Sequence, residues 1–156
     1  MLISKILFLE IYSLQKTFEL APNFWFPHLF AASAYTEKGM YREAVVEARR
    51  AKELSPVLTV SVSIVGYALA KSGKRDEARA VLDELLKLST ERFVPPYHIA
   101  VIYNGLGETD KATAWLEKGY EQRDPKMAFL KVEPKWNNLR DDPRFQDLLR
   151  RVGFPQ

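Results

Sequence analysis

The chain has no cysteine among its 156 residues and only two histidines. The first absence excludes a disulfide framework, a thiolate metal site and a cysteine nucleophile, and it fits a reducing compartment, so a cytoplasmic location is the expectation. His28 and His98 stand 70 residues apart, and neither has a second histidine one helical turn away or a nearby pair of carboxylates. They form no metal site, and each reads as a half-buried helix residue with a local hydrogen bond. Also missing is any uninterrupted apolar run near the ~18 residues of a membrane-spanning helix. The opening MLISKILFLEIYSLQ places Lys5 before an apolar run in the order of a signal peptide, but Glu10 ends that run after four residues and no small-residue cleavage pattern follows. Neither export nor a membrane partner is expected.

No charge of one sign dominates. The 23 basic and 20 acidic residues leave a net +3 and interleave along the chain, unlike the basic stripe of a nucleic-acid binder, so no nucleic-acid partner is expected. The GLGE at 105–108 lacks both the third glycine of a dinucleotide fingerprint and the lysine of a phosphate loop, and reads as a helix-ending turn. With no base, nucleophile or metal set in view, no catalytic residue and no cofactor is assigned, and the chain reads as non-enzymatic. At 47% apolar and 28% charged residues it has the make-up of one globular domain that buries roughly two-thirds of its unfolded surface.

What is present is a period. EKGMYREA at 37–44 returns as KSGKRDEA at 71–78 and as GLGETDKA at 105–112, so that Gly39, Gly73 and Gly107 are 34 residues apart, as are Ala44, Ala78 and Ala112. Each glycine sits between two helical patterns, where a left-handed turn is cheap, which predicts a series of helical hairpins. Pro22 and Pro56 close helices at the same interval. TVSVSIV at 59–65 alternates like a strand, but the 34-residue phase assigns it to the first helix of its unit. Small residues recur at Ala32, Gly66 and Ala100, with Tyr35, Leu69 and Tyr103 three later. Columns on the second helices run Ala48, Leu82, Leu116 and Ala51, Leu85, Gly119.

In these columns the chain resembles the tetratricopeptide repeat, a 34-residue helix-turn-helix unit. The resemblance covers residues 25 to about 124 and implies an all-α fold, a right-handed superhelical solenoid of antiparallel helix pairs. Its units are 25–56, 59–90 and 93–124. Residues 1–22 read as the second helix of a partial unit, and 125–156 as a capping segment in which the period breaks. In that segment Phe145, Leu148, Leu149 and Val152 cover the last unit, while Asp141, Asp142 and Asp147 pair with neighbouring arginines on a solvated face. The tail resembles the segment that ends tetratricopeptide regions in bacterial multidomain signalling proteins. The missing first helix of the partial unit carries the expectation of a fragment or a truncated gene. Where the family has a large residue early in each first helix, this chain has His28, Val62 and Pro96, which puts the first-turn packing of the third unit in question.

The function implied is a scaffold that holds a protein or peptide in its concave groove. Carried over by position, the groove residues are Phe26, Leu29, Ser33 and Glu37; Val60, Ser63, Tyr67 and Lys71; and Val94, Tyr97, Val101 and Asn104. Tyr67, Tyr97 and Asn104 are the expected contacts, whereas Phe26, Val60 and Val94 could equally pack between neighbouring helices. Only Lys71 and Asn104 could serve a carboxylate clamp, so an apolar helix or extended segment suits the set better. The alternative is a homodimer formed through an apolar edge at Ile6, Leu7, Phe8, Ile11 and Tyr12. Pentatricopeptide repeats, which read RNA, keep a 35-residue period and polar reading positions, and this chain has neither.

Overall fold

The structure, a computed structural model, describes residues 16–17 and 19–153. The self-association edge expected at residues 6–12 lies outside them. Among the described residues the regular elements are all helical: α1 (Trp25–Glu37), α2 (Tyr41–Leu54), α3 (Thr59–Lys71), α4 (Arg75–Glu91), α5 (Pro96–Gly105), α6 (Thr109–Glu121), 3-10 helices at Pro125–Phe129 and Pro134–Leu139, and α7 (Pro143–Val152).

Helices α1 and α2, α3 and α4, and α5 and α6 are joined by three-residue turns and packed against each other. The turn is one structure used three times. Gly39, Gly73 and Gly107 adopt φ of +72°, +84° and +77°, and the next amide donates back to the carbonyl five residues earlier: Met40 to Tyr35 at 2.9 Å, Lys74 to Leu69 at 2.9 Å, Glu108 to Tyr103 at 3.0 Å. This is the left-handed close that returns orphan carbonyls of a helix end to hydrogen bonding. The helix after each turn buries one narrow stripe. In α2 it is Ala44, Val45, Ala48 and Ala51; in α4, Ala78, Leu82 and Leu85; in α6, Ala112, Thr113, Leu116 and Gly119. Their opposite faces carry ion pairs from one hairpin to the next, such as Lys52–Glu84 at 2.6 Å and Arg79–Glu108; exposed pairs of this kind contribute about 0–1 kcal/mol each.

The first helices behave differently. Every residue of α3 from Ser61 to Ala70 is buried, and so is α5 from Pro96 to Asn104. The strand-like TVSVSIV is helical because burial on all sides outweighs β propensity, and its serine hydroxyls are spent locally. Ser61 donates to Leu58 O at 2.8 Å and Ser63 to Val60 O at 2.7 Å. Helices α3 and α5 approach closely: a Cβ placed on Gly66 would lie 2.6 Å from Ile102 Cδ1 and 2.8 Å from its Cγ1. Helix α5 begins late, at Pro96, because Pro95 and Pro96 occupy its N-cap and first position, where proline fits.

The tail needs two corrections to the sequence reading. Helix α7 keeps the period: Tyr41, Arg75, Thr109 and Pro143 open their helices at intervals of 34 residues. Arg144 accordingly pairs with Asp110 at 2.9 Å, and Arg151 with Glu117. The tail also carries a shorter period of its own. Asp124-Pro125-Lys126-Met127, Glu133-Pro134-Lys135-Trp136 and Asp142-Pro143-Arg144-Phe145 recur every nine residues, with Leu130, Leu139 and Leu148 three positions after each large side chain. All six large residues are buried. Each copy opens a helix with proline, and Asp124 and Asp142 cap theirs by accepting from the amides of Lys126 and Arg144, both at 2.9 Å.

The approach at Gly66 gives a test. Ala is the better helix former by about 1 kcal/mol, but its methyl would collide with the stiff, β-branched Ile102, and overpacking costs roughly 1–3 kcal/mol. Gly66→Ala is therefore expected to lower the urea midpoint, and Gly66→Ala combined with Ile102→Val, which removes the atom at 2.6 Å but keeps the γ carbon at 2.8 Å, to recover part of the loss.

Candidate functional site

On the third hairpin the expected groove face is occupied by the chain itself. The 3-10 helix at Pro134–Leu139 packs on α5, and the one at Pro125–Phe129 on α6. Trp136 is fully buried, edge-on to Tyr97 with ring centroids 5.4 Å apart, and its Nε1 donates to the Tyr97 hydroxyl at 2.7 Å. That hydroxyl donates in turn to Glu133 at 2.5 Å. Burial, reinforced by the Glu133 charge, pushes the Tyr97 phenol far above its usual range, so it stays protonated and keeps the bond. Two turns on, Asn104 donates to Lys135 O at 2.6 Å and accepts from Asn138 Nδ2 at 2.7 Å. The third tie is Asp124, which is buried and accepts the Tyr97 amide at 3.0 Å as well as that of Lys126.

Tyr97, Val101 and Asn104, read from the sequence as partner contacts, are thus interior residues beneath the tail, and Ser63 and Val94 are buried too. Phe26, which could have been an inter-helix packing residue, is 51% exposed. Leu29, Ser33 and Val60 are half-buried, Lys71 and Glu37 are exposed, and Tyr67 is buried apart from its hydroxyl edge. The signal that could have found the occupant was the nine-residue period, whose Glu133 reaches across to Tyr97 where Asp124 and Asp142 turn back to cap.

Residues 97–124, spanning α5 and α6, match the family model of the tetratricopeptide repeat. Over this stretch the third hairpin is similar to a tetratricopeptide repeat. A comparison with curated proteins finds no match. The two preceding hairpins share its turn, its 34-residue spacing and its buried columns.

Beside this repeat the same face stays open. A cleft of about 160 Å³ is lined by Thr36, Glu37 and Tyr41 of the first hairpin, Tyr67 and Lys71 of α3, and Pro134 and Lys135 of the tail. Burial, with Tyr41 nearby, pushes the Tyr67 phenol up to about 12, so it presents a neutral O–H at the cleft. Lys135 pairs with Glu133 at 2.7 Å. Thr36 is committed to Ala32 O at 2.8 Å.

The two histidines resolve differently. His28 meets Glu47 at 2.6 Å across α1 and α2. His98 is buried in the repeat, its Nδ1 2.8 Å from Thr59 Oγ1 on α3, while its Nε2 is buried without a partner. Burial, helped by the Lys126 and Lys135 charges, lowers the His98 pKa to about 3. Among the described residues no three His, Cys, Asp or Glu side chains are placed to hold a metal ion.

Two outcomes follow from this geometry. Trp136→Ala is expected to destabilise the protein by about 3–5 kcal/mol in denaturant titration, whereas an exposed α7 change such as Arg150→Ala stays within about 0.5 kcal/mol. His98 remains neutral in the fold while the unfolded chain takes up a proton below its ordinary value of 6.5, so stability is lost as pH falls from there toward 3. The unfolding free energy should drop by up to about 1.4 kcal/mol per pH unit in that window, and His98→Asn should flatten the slope between roughly pH 5 and 7.

Proposed function

We propose that the chain is a protein-binding module that holds a short segment of a partner in the cleft between α1, α3 and the tail. Repeats of this family typically act in protein–protein interaction without catalysis, which is the ground for the broad assignment. The observation that carries the finer reading is that the cleft continues the face on which the tail is already held. There a buried aromatic ring and a side-chain amide bonded to a backbone carbonyl fix a proline-led turn. A partner segment entering the cleft would lay an apolar side chain against Tyr67 and Pro134 and reach Glu37 and Lys71 with its polar neighbours, a mode in which a few anchors supply most of the binding. The groove is thereby shorter than the sequence suggests, since its third-repeat portion is filled.

The test is selection of a display library of random short peptides on the wild-type protein. Selected peptides are expected to lose roughly tenfold or more in affinity for Thr36→Arg with Lys71→Glu, and to bind Arg150→Glu on α7 as they bind wild type. Peptides indifferent to the cleft substitutions would remove the reading.

A further inference from the structure

Phe30 occupies the position that Ile64 and His98 hold 34 and 68 residues later. Those two are each 5% exposed, whereas Phe30 is 45% exposed. His98 shows which way this column points, because its Nδ1 meets Thr59, the first residue of the preceding hairpin's α3. Phe30 therefore faces the place where the first helix of a preceding hairpin would stack. Phe26 repeats the pattern: its successors are half-buried Val60 and buried Val94. Phe24 and Leu20 extend the exposed surface, and the rings of Phe24, Phe26 and Phe30 are in sequence 6.2 and 6.5 Å apart, so the patch is continuous. No Lys, Arg, Asp or Glu occurs from Leu20 to Ala34.

We propose that a second copy of this chain covers the patch, face to face, through Phe24, Phe26 and Phe30. A two-fold contact puts the same surface on both sides and needs only self-complementarity, which an apolar patch free of charge supplies. Head-to-tail stacking is disfavoured because the opposite end is closed by α7, whose Arg144, Arg150, Arg151 and Asp147 are engaged in ion pairs. The area is sufficient for a modest dimer. A half-exposed phenylalanine offers about 100 Å², so three with Leu20 give about 450 Å² per copy, and the pair with its flanking contacts reaches the roughly 1,000 Å² of the smallest specific interfaces. Neither Phe26 nor Phe30 lines the cleft assigned to a partner segment, so the two surfaces can be tested separately.

The experiment is light scattering of the full chain across a concentration series. The expected mass is twice the 18.0 kDa of one copy, falling to the single-copy value in Phe26→Ser with Phe30→Ser at unchanged helical circular dichroism. Arg150→Ser with Arg151→Ser on α7 should keep the double mass. If the phenylalanine pair loses helicity, Phe24→Ser, which precedes α1, repeats the test. A wild-type chain that is monomeric at every concentration overturns the proposal, as does a dimer that survives all three phenylalanine substitutions. A monomer that self-associates only after residues 1–15 are removed overturns it too, since the chain's own segment then covers the face.

Discussion

A helix that is apolar on every side has to be covered on every side, and a single hairpin covers only one. The rest of the molecule answers this constraint. Helix α3 is enclosed by the hairpins before and after it, at separations that leave no room for a side chain at Gly66. Helix α5 has a hairpin on one side only, and the tail supplies the remaining cover. Helix α1 has a successor but no predecessor among the described residues, and it buries only Pro27, Ala31 and Ala32. The contrast between α1 and its two successors is one of position in the stack and not of composition, since all three are similarly apolar.

The tail shows how a repeat series can be closed without another hairpin. Prolines nine residues apart leave no space for a helix as long as α3, so the first two copies condense to short 3-10 turns and the third opens α7, each delivering one large side chain and one leucine to the core. Met127 with Leu130, Trp136 with Leu139, and Phe145 with Leu148 form a row over α5 and α6. Helix α7 returns to the 34-residue phase and packs on α6, where its Arg144 and Arg151 meet Asp110 and Glu117.

Much of this was legible in the sequence for a local reason. The turn at each glycine needs only its own neighbours, so the hairpins and their buried columns could be read from spacing, and the same phase correctly placed TVSVSIV in a helix. The fate of Tyr97, Val101 and Asn104 was not legible in that way. Whether a side chain on a repeat face meets solvent or protein depends on a segment some thirty residues distant in sequence, and the residues themselves are the same in either case. His98 illustrates the limit from the other side: its type and position suggested a satisfied helix residue, and half of the ring is, through Thr59, while the other nitrogen is enclosed without a partner.

Asp124 ties the third hairpin to the tail. One buried carboxylate takes the first free amide of α5 with one oxygen and the opening turn of the tail with the other. The last repeat and its cover are consequently not separable modules. A chain cut just before this residue would strip α5 of both its lid and its cap, so the natural boundary for recombining or transplanting this repeat lies after α7 and not at the end of the hairpin.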